Sequence, residues 1–258
     1  MTNGSTGELG GRHALVTGSS RGIGRVIARH LAVNGAAVSV HGRDHAALAA
    51  VCREIEGAGG TCRPVVADLT QREEIADLVS RAEDGLGGID VLVANAGGSP
   101  SQPQPVEEMR DEDFLAAVEL NLVATYRLVA AVLPGMKERG RGTIVTMSSA
   151  AARRPTPYSP IGYAAAKAGV ELFTKDVALQ AGPHGIRANC VAPETIITER
   201  TDEQIPKETQ DQLIGQHPLR RLGTAMDVAE AVLYLAGDRS AWVTGVVLDV
   251  AGGAVITQ

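Results

Sequence analysis

Glycines are concentrated in one short segment near the start of the chain, residues 17–24, which reads TGSSRGIG. The segment continues the apolar run Ala14–Thr17 and leads into residues whose apolar side chains have helical spacing. Its glycines, Gly18, Gly22 and Gly24, permit a tight turn and close approach of a ligand, and the start of the following helix attracts phosphate. A strand that passes through such a turn into an amphipathic helix is typical of dinucleotide-binding sheets.

The rest of the chain alternates between short apolar segments and amphipathic ones. The apolar segments are rich in Val, Ile and Ala and lack polar alternation, which indicates parallel strands buried on both faces. The predicted strands are Ala14–Thr17, Ala37–Val40, Pro64–Ala67, Val91–Asn95, Thr143–Met147, Arg187–Ala192 and Val246–Val250. The predicted helices are residues 23–31, His45–Glu56, Ile75–Leu86, Asp113–Leu133, Gly162–Gln180 and Met226–Leu235. This pattern predicts an α/β fold with a doubly wound, seven-stranded parallel sheet and helices on both faces.

Two segments interrupt the alternation. Residues 1–10 are small and polar, and we interpret them as a flexible leader to a single domain at residues 11–258. Residues 195–217 are polar and follow the sixth predicted strand at its carboxyl end, where parallel sheets bind ligands. Loops of this length usually have a function, so we interpret this one as a substrate lid, with a plain surface insertion as the alternative.

Composition excludes several classes of function. The net charge is -6 and aromatic residues make up 3% of the chain, which argues against a nucleic-acid partner. No apolar run approaches the roughly 20 residues of a membrane helix and no signal-like segment opens the chain, which predicts a cytoplasmic protein without a membrane partner. Cys52, Cys62 and Cys190 are few and scattered, and we interpret them as reduced thiols. The histidines lack ligand spacing, so we expect no catalytic metal.

Two other predicted strand ends have candidate ligand contacts. Asn95, Ala96 and Gly97 follow the fourth strand, and the glycine lets the backbone approach a ligand closely. An ordinary turn is the alternative. Asp68, beside Leu69, ends the third strand, where its carboxylate either accepts a hydrogen bond from an adenine amino group or caps the next turn.

Tyr163 and Lys167 are separated by three alanines in the segment YAAAK. On a helix, residues four apart share a face, with Cβ atoms about 5–6 Å apart. A nearby ammonium favours the phenolate, so we expect Lys167 to lower the pKa of Tyr163. A phenol with a lowered pKa exchanges a proton with a carbonyl or an alcohol. A chance pairing on a helix is the alternative.

Taken together, these motifs resemble the short-chain dehydrogenase/reductase family. The motifs are TGSSRGIG at 17–24, NAG at 95–97, Asn121, the serines at 148–149 and YAAAK at 163–167, and the resemblance covers about residues 12–253. Members of this family have a one-domain Rossmann fold and transfer a hydride between a nicotinamide cofactor and an alcohol or carbonyl. The family also pairs helices between subunits, so we expect a homotetramer.

The resemblance implies roles for individual residues. It gives a catalytic set of Asn121, Ser149, Tyr163 and Lys167, in which Ser149 hydrogen-bonds the substrate oxygen and Asn121 holds a water in a relay toward the lysine. The implied cofactor contacts are Gly18, Ser20, Arg21, Gly22, Ile23, Gly24, Arg43, Asp68, Leu69, Asn95, Ala96, Gly97, Tyr163, Lys167, Pro193, Ile196 and Thr198.

Three positions depart from the family pattern. The segment from Ser149 to Tyr163 is one residue longer than usual. Glu194 follows Pro193 where the family tends to have glycine, and Ala251 stands where many relatives have aspartate. All three positions border the substrate side, so we interpret them as marks of unusual specificity.

The end of the second predicted strand favours NADP(H) over NAD(H). Gly42 occupies the position where relatives that use NAD have an aspartate for the ribose hydroxyl. Arg43 comes next and can hold the added phosphate of NADP through charge-assisted hydrogen bonds, with Arg21 approaching from the other side. Asp44 directly precedes a predicted helix, so we interpret it as an N-cap. NAD is the alternative cofactor.

The sequence therefore predicts an NADP-dependent oxidoreductase acting on a small carbonyl or alcohol, and the resemblance allows an acyl thioester as substrate. One alternative is an NAD-dependent alcohol dehydrogenase of the same family. Another is a nucleotide-sensing regulator without catalytic activity, although the complete set of Asn121, Ser149, Tyr163 and Lys167 argues against it.

Overall fold

The structure, a computed structural model, describes residues 7–156, 159–199, 201 and 205–256. Most of its strands form one parallel sheet, in the order β3-β2-β1-β4-β5-β6-β9, and β7 pairs with β8 separately. The strands of the described part are β1 (His13–Val16), β2 (Ala37–Gly42), β3 (Thr61–Val66), β4 (Val91–Ala94), β5 (Gly142–Met147), β6 (Ile186–Pro193), β7 (Ile196–Ile197), β8 (Gly223–Thr224) and β9 (Val247–Val250). The predicted seven-stranded parallel sheet is confirmed.

Helices cover both faces of this sheet. They are α1 (Gly22–Val33), α2 (His45–Gly57), α3 (Arg72–Leu86), α4 (Asp111–Val118), α5 (Ala124–Arg139), α6 (Ala150–Arg153), α7 (Ile161–Ala181), α8 (Lys207–Gln216) and α9 (Ala225–Ala236). The first face packs on α1, α2 and α9, and the second on α3, α5 and α7. A π turn at Glu119–Val123 joins α4 to α5, so the predicted helix 113–133 is part of a longer one.

Successive side chains of a strand enter different layers of the core. In β1, Ala14 and Val16 pack with Ile27 and Leu31 of α1, whereas Leu15 packs on the opposite face with the layer of α3, α5 and α7. This alternation is the two-residue period of a strand, and here both faces are apolar because both are covered. Both faces of β1 therefore belong to the core.

One helix among the described residues, Asp111–Arg139, is long and apolar enough to cross a membrane by length and composition. Its Leu128, Val132 and Met136 side chains are buried in the core against the sheet. Core helices of soluble proteins have the same properties, so the composition of this helix alone is weak support for a membrane span.

The start of the chain is more ordered than predicted. Leu9 is fully buried in the core, and its amide donates a hydrogen bond to the Asn34 carbonyl at 2.8 Å. Glu8 forms an ion pair with Arg239 at 2.9 Å. Residues 1–6 of the predicted leader lie outside the described residues. Glu8 and Leu9 therefore pack against the domain.

The interpretation of Cys52 and Cys62 as reduced thiols is wrong, because the structure joins them in a disulfide bond. Cys52 lies on α2 and Cys62 on β3, and the turn between these elements brings the two Cα atoms to 5.2 Å. A spacing of ten residues did not indicate this pairing, since it depends on how the helix packs beside the strand. Cys190 is a buried free thiol in the described part.

Candidate active site

A cavity of about 770 Å³ opens at the carboxyl ends of β1, β4, β5 and β6. Of the predicted site residues, its wall contains Gly18, Arg21, Gly22, Ile23, Gly24, Asn95, Gly97, Ser149, Tyr163, Lys167, Pro193, Ile196 and Thr198. The predicted residues outside its wall are Ser20, Arg43, Asp68, Leu69, Ala96 and Asn121. The wall also includes Gly98, Met147, Ser148, Glu194, Thr195, Glu199, Thr201 and Ile205, which are not among the predicted catalytic and cofactor-binding residues. Five separate segments of the chain, within 18–24, 95–98, 147–149, 163–167 and 193–205, thus meet at one cavity.

The glycine turn packs against the Asn95–Gly97 segment with no room for side chains. Gly18 has a φ of 64°, and a Cβ atom there would lie 2.9 Å from the Cα of Ala96. A Cβ atom at Gly24 would collide with the Gly18 carbonyl. The Asn95 side-chain amide donates hydrogen bonds to the carbonyls of Thr17 and Gly18, at 2.9 and 3.2 Å. Asn95 therefore holds the turn in shape.

His41 is a second support of this turn, and sequence reasoning missed it. The Gly18 amide donates to His41 Nδ1 at 3.3 Å, so the ring proton is on Nε2, which donates to the Ala67 carbonyl at 3.0 Å. The His41 amide in turn donates to Ser19 Oγ at 2.9 Å. Burial lowers the pKa of His41 to about 4, which keeps the ring neutral. These contacts tie the ends of β2 and β3 to the glycine turn.

The end of β2 leaves Arg43 exposed and Gly42 buried. A Cβ atom at Gly42 would lie 3.3 Å from the Cβ and Oγ atoms of Ser20, which is a tight contact. The Asp44 carboxylate accepts hydrogen bonds from the amides of Ala46 and Ala47, at 2.9 and 3.2 Å. The predicted N-cap role of Asp44 is confirmed.

Asp68 shows the second of its two predicted roles. Its Oδ1 atom accepts hydrogen bonds from the amide and the hydroxyl of Thr70, at 3.0 and 2.8 Å. These two bonds, the backbone one first, lower the pKa of Asp68 and keep the carboxylate ionised. Asp68 thus caps the turn before α3, and its contact with adenine stays a prediction.

Lys167 is buried beside Tyr163, and its ammonium lies 5.6 Å from the centre of the Tyr163 ring. The Lys167 ammonium donates to the Met147 carbonyl at 2.7 Å. Burial lowers the pKa of Lys167 to about 8. Burial also raises the pKa of Tyr163, and a hydrogen bond with Ser149 lowers it only in part. The expected lowering of the Tyr163 pKa by Lys167 is therefore not seen in the chain alone, where burial has the largest effect and Ser149 is the group that lowers the pKa.

The adjacent serines at the end of β5 make different contacts. Ser149 forms a hydrogen bond with Tyr163. The Ser149 Oγ atom also accepts a hydrogen bond from the Ala151 amide at 3.2 Å, and this contact caps the start of α6. Ser148 is buried and donates to Glu171 Oε1 at 2.8 Å. The opposite directions follow from the alternation of side chains along a strand. Of the two, Ser149 is the hydroxyl beside the tyrosine.

Asn121 is fully buried in the π turn between α4 and α5. Its amide nitrogen donates to the carbonyls of Gly98 and Ala117, at 2.9 and 2.8 Å, and its Oδ1 accepts the Gly98 amide at 3.0 Å. A Cβ atom at Gly97 would lie 2.6 Å from Asn121 Oδ1 and 3.3 Å from Lys167 Nζ. Asn121 thus fixes the loop after β4 directly against the lysine. Single π turns are frequent at functional sites.

Comparison with known proteins places this site in a family. Residues 18–255 match the family model described as Enoyl-(Acyl carrier protein) reductase. The 7alpha-hydroxysteroid dehydrogenase of Escherichia coli is 35% identical over 255 residues, which cover 99% of this chain and 98% of that protein. The chain belongs to the short-chain dehydrogenase/reductase family.

Two further comparisons agree with this assignment. A 3-oxoacyl-acyl-carrier-protein reductase of Pseudomonas aeruginosa is 38% identical, with 95% of this chain and 98% of that protein covered. The solved structure of a 7alpha-hydroxysteroid dehydrogenase complexed with NADH and 7-oxo glycochenodeoxycholic acid has a TM-score of 0.92 and 35% identity, covering 99% of this chain and 98% of that one. The chain is therefore an oxidoreductase of the short-chain dehydrogenase/reductase family, with its Rossmann fold.

The two unusual residues of this short-chain dehydrogenase/reductase make specific contacts. Glu194 accepts a hydrogen bond from His217 Nε2 at 2.9 Å, and His217 Nδ1 lies 2.7 Å from the Leu213 carbonyl at the end of α8. His217 is buried, so the pair fastens the end of α8 to the end of β6. Ala251 packs in a small apolar cluster with Ala150 of α6, where a carboxylate would be poorly placed.

The segment predicted as a lid has its own secondary structure. Its first residues form β7, which pairs with β8, and its second half forms α8. Ile196, Thr198, Thr201 and Ile205 line the cavity. Residues 200 and 202–204 lie outside the described residues. The segment thus borders the cavity, and its role as a substrate lid stays a proposal.

Proposed function

We propose that this protein is an NADP(H)-dependent oxidoreductase that transfers a hydride between nicotinamide and a carbonyl or secondary alcohol. The observation that supports this most is the joint position of Ser149, Tyr163 and Lys167 on the cavity that also contains the glycine turn. The Ser149–Tyr163 hydrogen bond and the 5.6 Å approach of Lys167 give a proton-transfer group, its orienting hydroxyl and a cation in one place.

The chain's own residues fit a dinucleotide. Side chains at Gly18, Gly24 and Gly97 would strike backbone or polar side-chain atoms, so glycine allows the two loops to pack closely where they line the cavity. Arg21, the residue before α1, makes no side-chain cap, so the first amides of that helix remain available for phosphate. When bound, the nicotinamide donates or accepts the hydride.

Tyr163 is the proposed general acid and base. In the reducing direction its phenol donates a proton to the carbonyl oxygen, and in the oxidising direction it accepts one from the alcohol. Ser149 holds the substrate oxygen near that phenol through its hydroxyl. The buried Lys167 ammonium favours the phenolate, since opposite charge stabilises it. Asn121 fixes the adjoining loop and is the proposed holder of a water in the relay to Lys167.

The proposed cofactor is NADP(H), with NAD(H) as the alternative. Gly42 offers no carboxylate to a ribose hydroxyl, and the exposed Arg43 is able to reach a phosphate at the end of β2. The Asp44 carboxylate is engaged as the N-cap of α2, so it is not available to bind the ribose hydroxyl of NAD. The alternative has support from the solved hydroxysteroid dehydrogenase, which was complexed with NADH.

The substrate class is a small carbonyl or alcohol, including acyl thioesters. Relatives of this chain are named for a hydroxysteroid and for a 3-oxoacyl group on acyl carrier protein. No group of metal-ligating side chains occurs among the described residues. Composition favours a cytoplasmic location without nucleic-acid or membrane partners.

A homotetramer is the proposed assembly. Leu115, Tyr126, Leu172 and Leu179 are exposed apolar side chains on α4, α5 and α7. The Tyr126 ring meets the Phe173 ring edge-on at 6.2 Å, so α5 and α7 form one continuous surface. Apolar patches of this kind are covered in symmetric oligomers.

A screen of ketones, 3-oxoacyl thioesters and alcohols with each cofactor tests the proposed function. We expect the absorbance of reduced nicotinamide to fall with at least one carbonyl compound, faster with NADPH than with NADH. Tyr163→Phe provides the control for chemistry that depends on the site. Binding of the cofactor without turnover of any compound would instead favour a nucleotide-sensing regulator.

A further inference from the structure

Four polar side chains form a connected cluster behind the cavity. Arg153 Nη1 donates to Glu171 Oε2 at 2.8 Å, and Arg153 Nε donates to Asp249 Oδ1 at 3.1 Å. Ser148 Oγ donates to the other oxygen of Glu171 at 2.8 Å. The side chains of Glu171 and Arg153 are only 9% and 18% exposed, so this cluster is largely out of water. The functional set described above includes none of these residues.

The cluster joins four elements that surround the proposed catalytic serine. Ser148 ends β5, Arg153 ends α6, Glu171 lies one turn after Lys167 on α7, and Asp249 belongs to β9. Ser149 begins α6 and Arg153 is its last residue, so both ends of this helix are fixed by side-chain hydrogen bonds. A helix of a single turn is not stable by itself. Its position therefore depends on these end contacts.

The geometry of the cluster requires arginine. One guanidinium contacts two carboxylates on different elements, Glu171 through Nη1 and Asp249 through Nε and Nη2. Lysine has a single nitrogen and cannot span both carboxylates in this fork arrangement. Without that cation, two largely buried carboxylates would lose their positively charged partner, which is strongly unfavourable. The Lys167 ammonium is engaged with Met147 and does not replace it.

We propose that Arg153 is a positioning residue for the reaction: through Glu171 and Asp249 it holds α6 so that the Ser149 hydroxyl meets Tyr163. This inference rests on the proposed function. The segment between Ser149 and Tyr163 is one residue longer than the family pattern, and a longer loop has more freedom to lose on ordering. The Arg153 contacts restrict that freedom at the start of the loop.

Steady-state kinetics of Arg153→Met, Arg153→Lys and Glu171→Gln test the inference. We expect Arg153→Met to lower kcat by about 10- to 100-fold, because small misplacement of an orienting group has effects of this size. The KM for cofactor is expected to change less than about two-fold, since the glycine turn is untouched. Arg153→Lys restores part of kcat. Arg110→Met is the matched control, because Arg110 is an exposed arginine that also makes two hydrogen bonds to one carboxylate, that of Asp113.

A double-mutant cycle separates positioning from general destabilisation. If Arg153 acts through Ser149, Arg153→Met changes kcat less than about two-fold when Ser149→Ala is already present. Equal losses of kcat in both backgrounds overturn the proposal. Glu171→Gln, which keeps its hydrogen-bond acceptor for Ser148, serves in the same cycle if Arg153→Met does not fold.

Hydrogen exchange gives a readout that does not need turnover. We expect the amides of residues 149–154 to exchange faster in Arg153→Met and Glu171→Gln, and those of α9 to be unchanged. Unchanged exchange at residues 149–154 in both variants overturns the positioning role, whatever the activity. A wild-type enzyme that turns over no carbonyl or alcohol refutes the proposed function instead, and the exchange result still stands.

Discussion

The Lys167 ammonium lies 5.6 Å from the centre of the Tyr163 ring, one helical turn further along α7. Both side chains line the same cavity. The same ammonium donates to the Met147 carbonyl, so its position is fixed by β5. Lys167 is therefore held in place beside Tyr163, the residue that we propose exchanges a proton.

Tyr163→Phe is expected to keep cofactor binding and to lower turnover by about 10²- to 10⁴-fold, because it removes the general acid and base. Cofactor binding measured by calorimetry and kcat measured by nicotinamide absorbance check both parts. Tyr234→Phe is the control, since Tyr234 lies on α9 and is partly exposed. Near-native turnover in Tyr163→Phe removes this residue from the mechanism.

Ser149→Ala is expected to lower kcat more than Ser148→Ala does. Ser149 contacts Tyr163, whereas the Ser148 hydroxyl is used by the buried Glu171. Loss of that donor instead predicts a fall of about 1–3 kcal/mol in the free energy of unfolding of Ser148→Ala. Parallel kinetics and urea denaturation distinguish the two serines. A larger loss of kcat at Ser148 would contradict the assignment.

Arg43→Ala is expected to weaken the preference for NADP(H) over NAD(H) by about 10- to 100-fold in kcat/KM. A charge-assisted hydrogen bond to the added phosphate contributes about 1.5–3 kcal/mol, and about 1.4 kcal/mol corresponds to a tenfold change. Arg53→Ala, at an exposed position on helix α2, which follows Arg43, is the control. A preference for NAD(H) in the wild type, or an unchanged ratio in Arg43→Ala, refutes this role of Arg43.

His41 is expected to make the protein less stable as pH falls. Its folded pKa is about 4, below the unfolded value of 6.5, so the unfolded chain binds more protons between these limits. The contribution of His41 to the free energy of unfolding is present above pH 6.5, and it is lost as the pH falls toward 4. From about pH 7 to about pH 5 the expected loss in the free energy of unfolding is about 2 kcal/mol.

The measurement is chemical denaturation of His41→Asn and the wild type at both pH values. The neutral amide does not titrate, so the pH dependence of the variant is expected to be smaller by about the same 2 kcal/mol. His184→Asn alters an exposed histidine in the turn before β6 and is expected to leave the dependence unchanged. If His41→Asn and the wild type lose stability in parallel, His41 is not buried in its neutral form.

Replacing Leu172 and Leu179 together by glutamate is expected to dissociate the proposed homotetramer. These side chains are 63% and 78% exposed on one face of α7, and charge on a buried interface is unfavourable. Light scattering at micromolar concentration measures the mass. Val33→Glu, on the opposite face of the sheet at α1, is the control. A wild-type protein that is monomeric under these conditions contradicts the proposed assembly.

Much of the architecture was predictable because it depends on local pattern. Apolar runs gave the strands of the central sheet, and the glycine spacing located the turn after β1. Asp44 was identifiable as an N-cap because that role depends only on its position before a helix. The Tyr163–Lys167 pair was identifiable because both residues share one helical face.

Contacts between distant segments were not predictable in this way. His41 bonds Gly18 and Ala67, and Arg153 bonds Asp249, almost a hundred residues away. The Cys52–Cys62 disulfide likewise depends on the packing of a helix beside a strand. No local spacing encodes such pairings, since they follow from the order of strands in the sheet.

The π turn at Glu119–Val123 connects two helices, α4 and α5, that pack against different parts of the protein. Its extra residue sets the rotation of α4, which packs on α7, relative to α5, which packs on the sheet. Removing one residue there would return the helix to regular α geometry and turn one half by about 100° relative to the other. The buried amide of Asn121 and the outer face of α5 would then move together. An insertion or deletion at this point of the chain therefore changes the buried site around Asn121 and the exposed face of α5 together. A point substitution changes only one of the two.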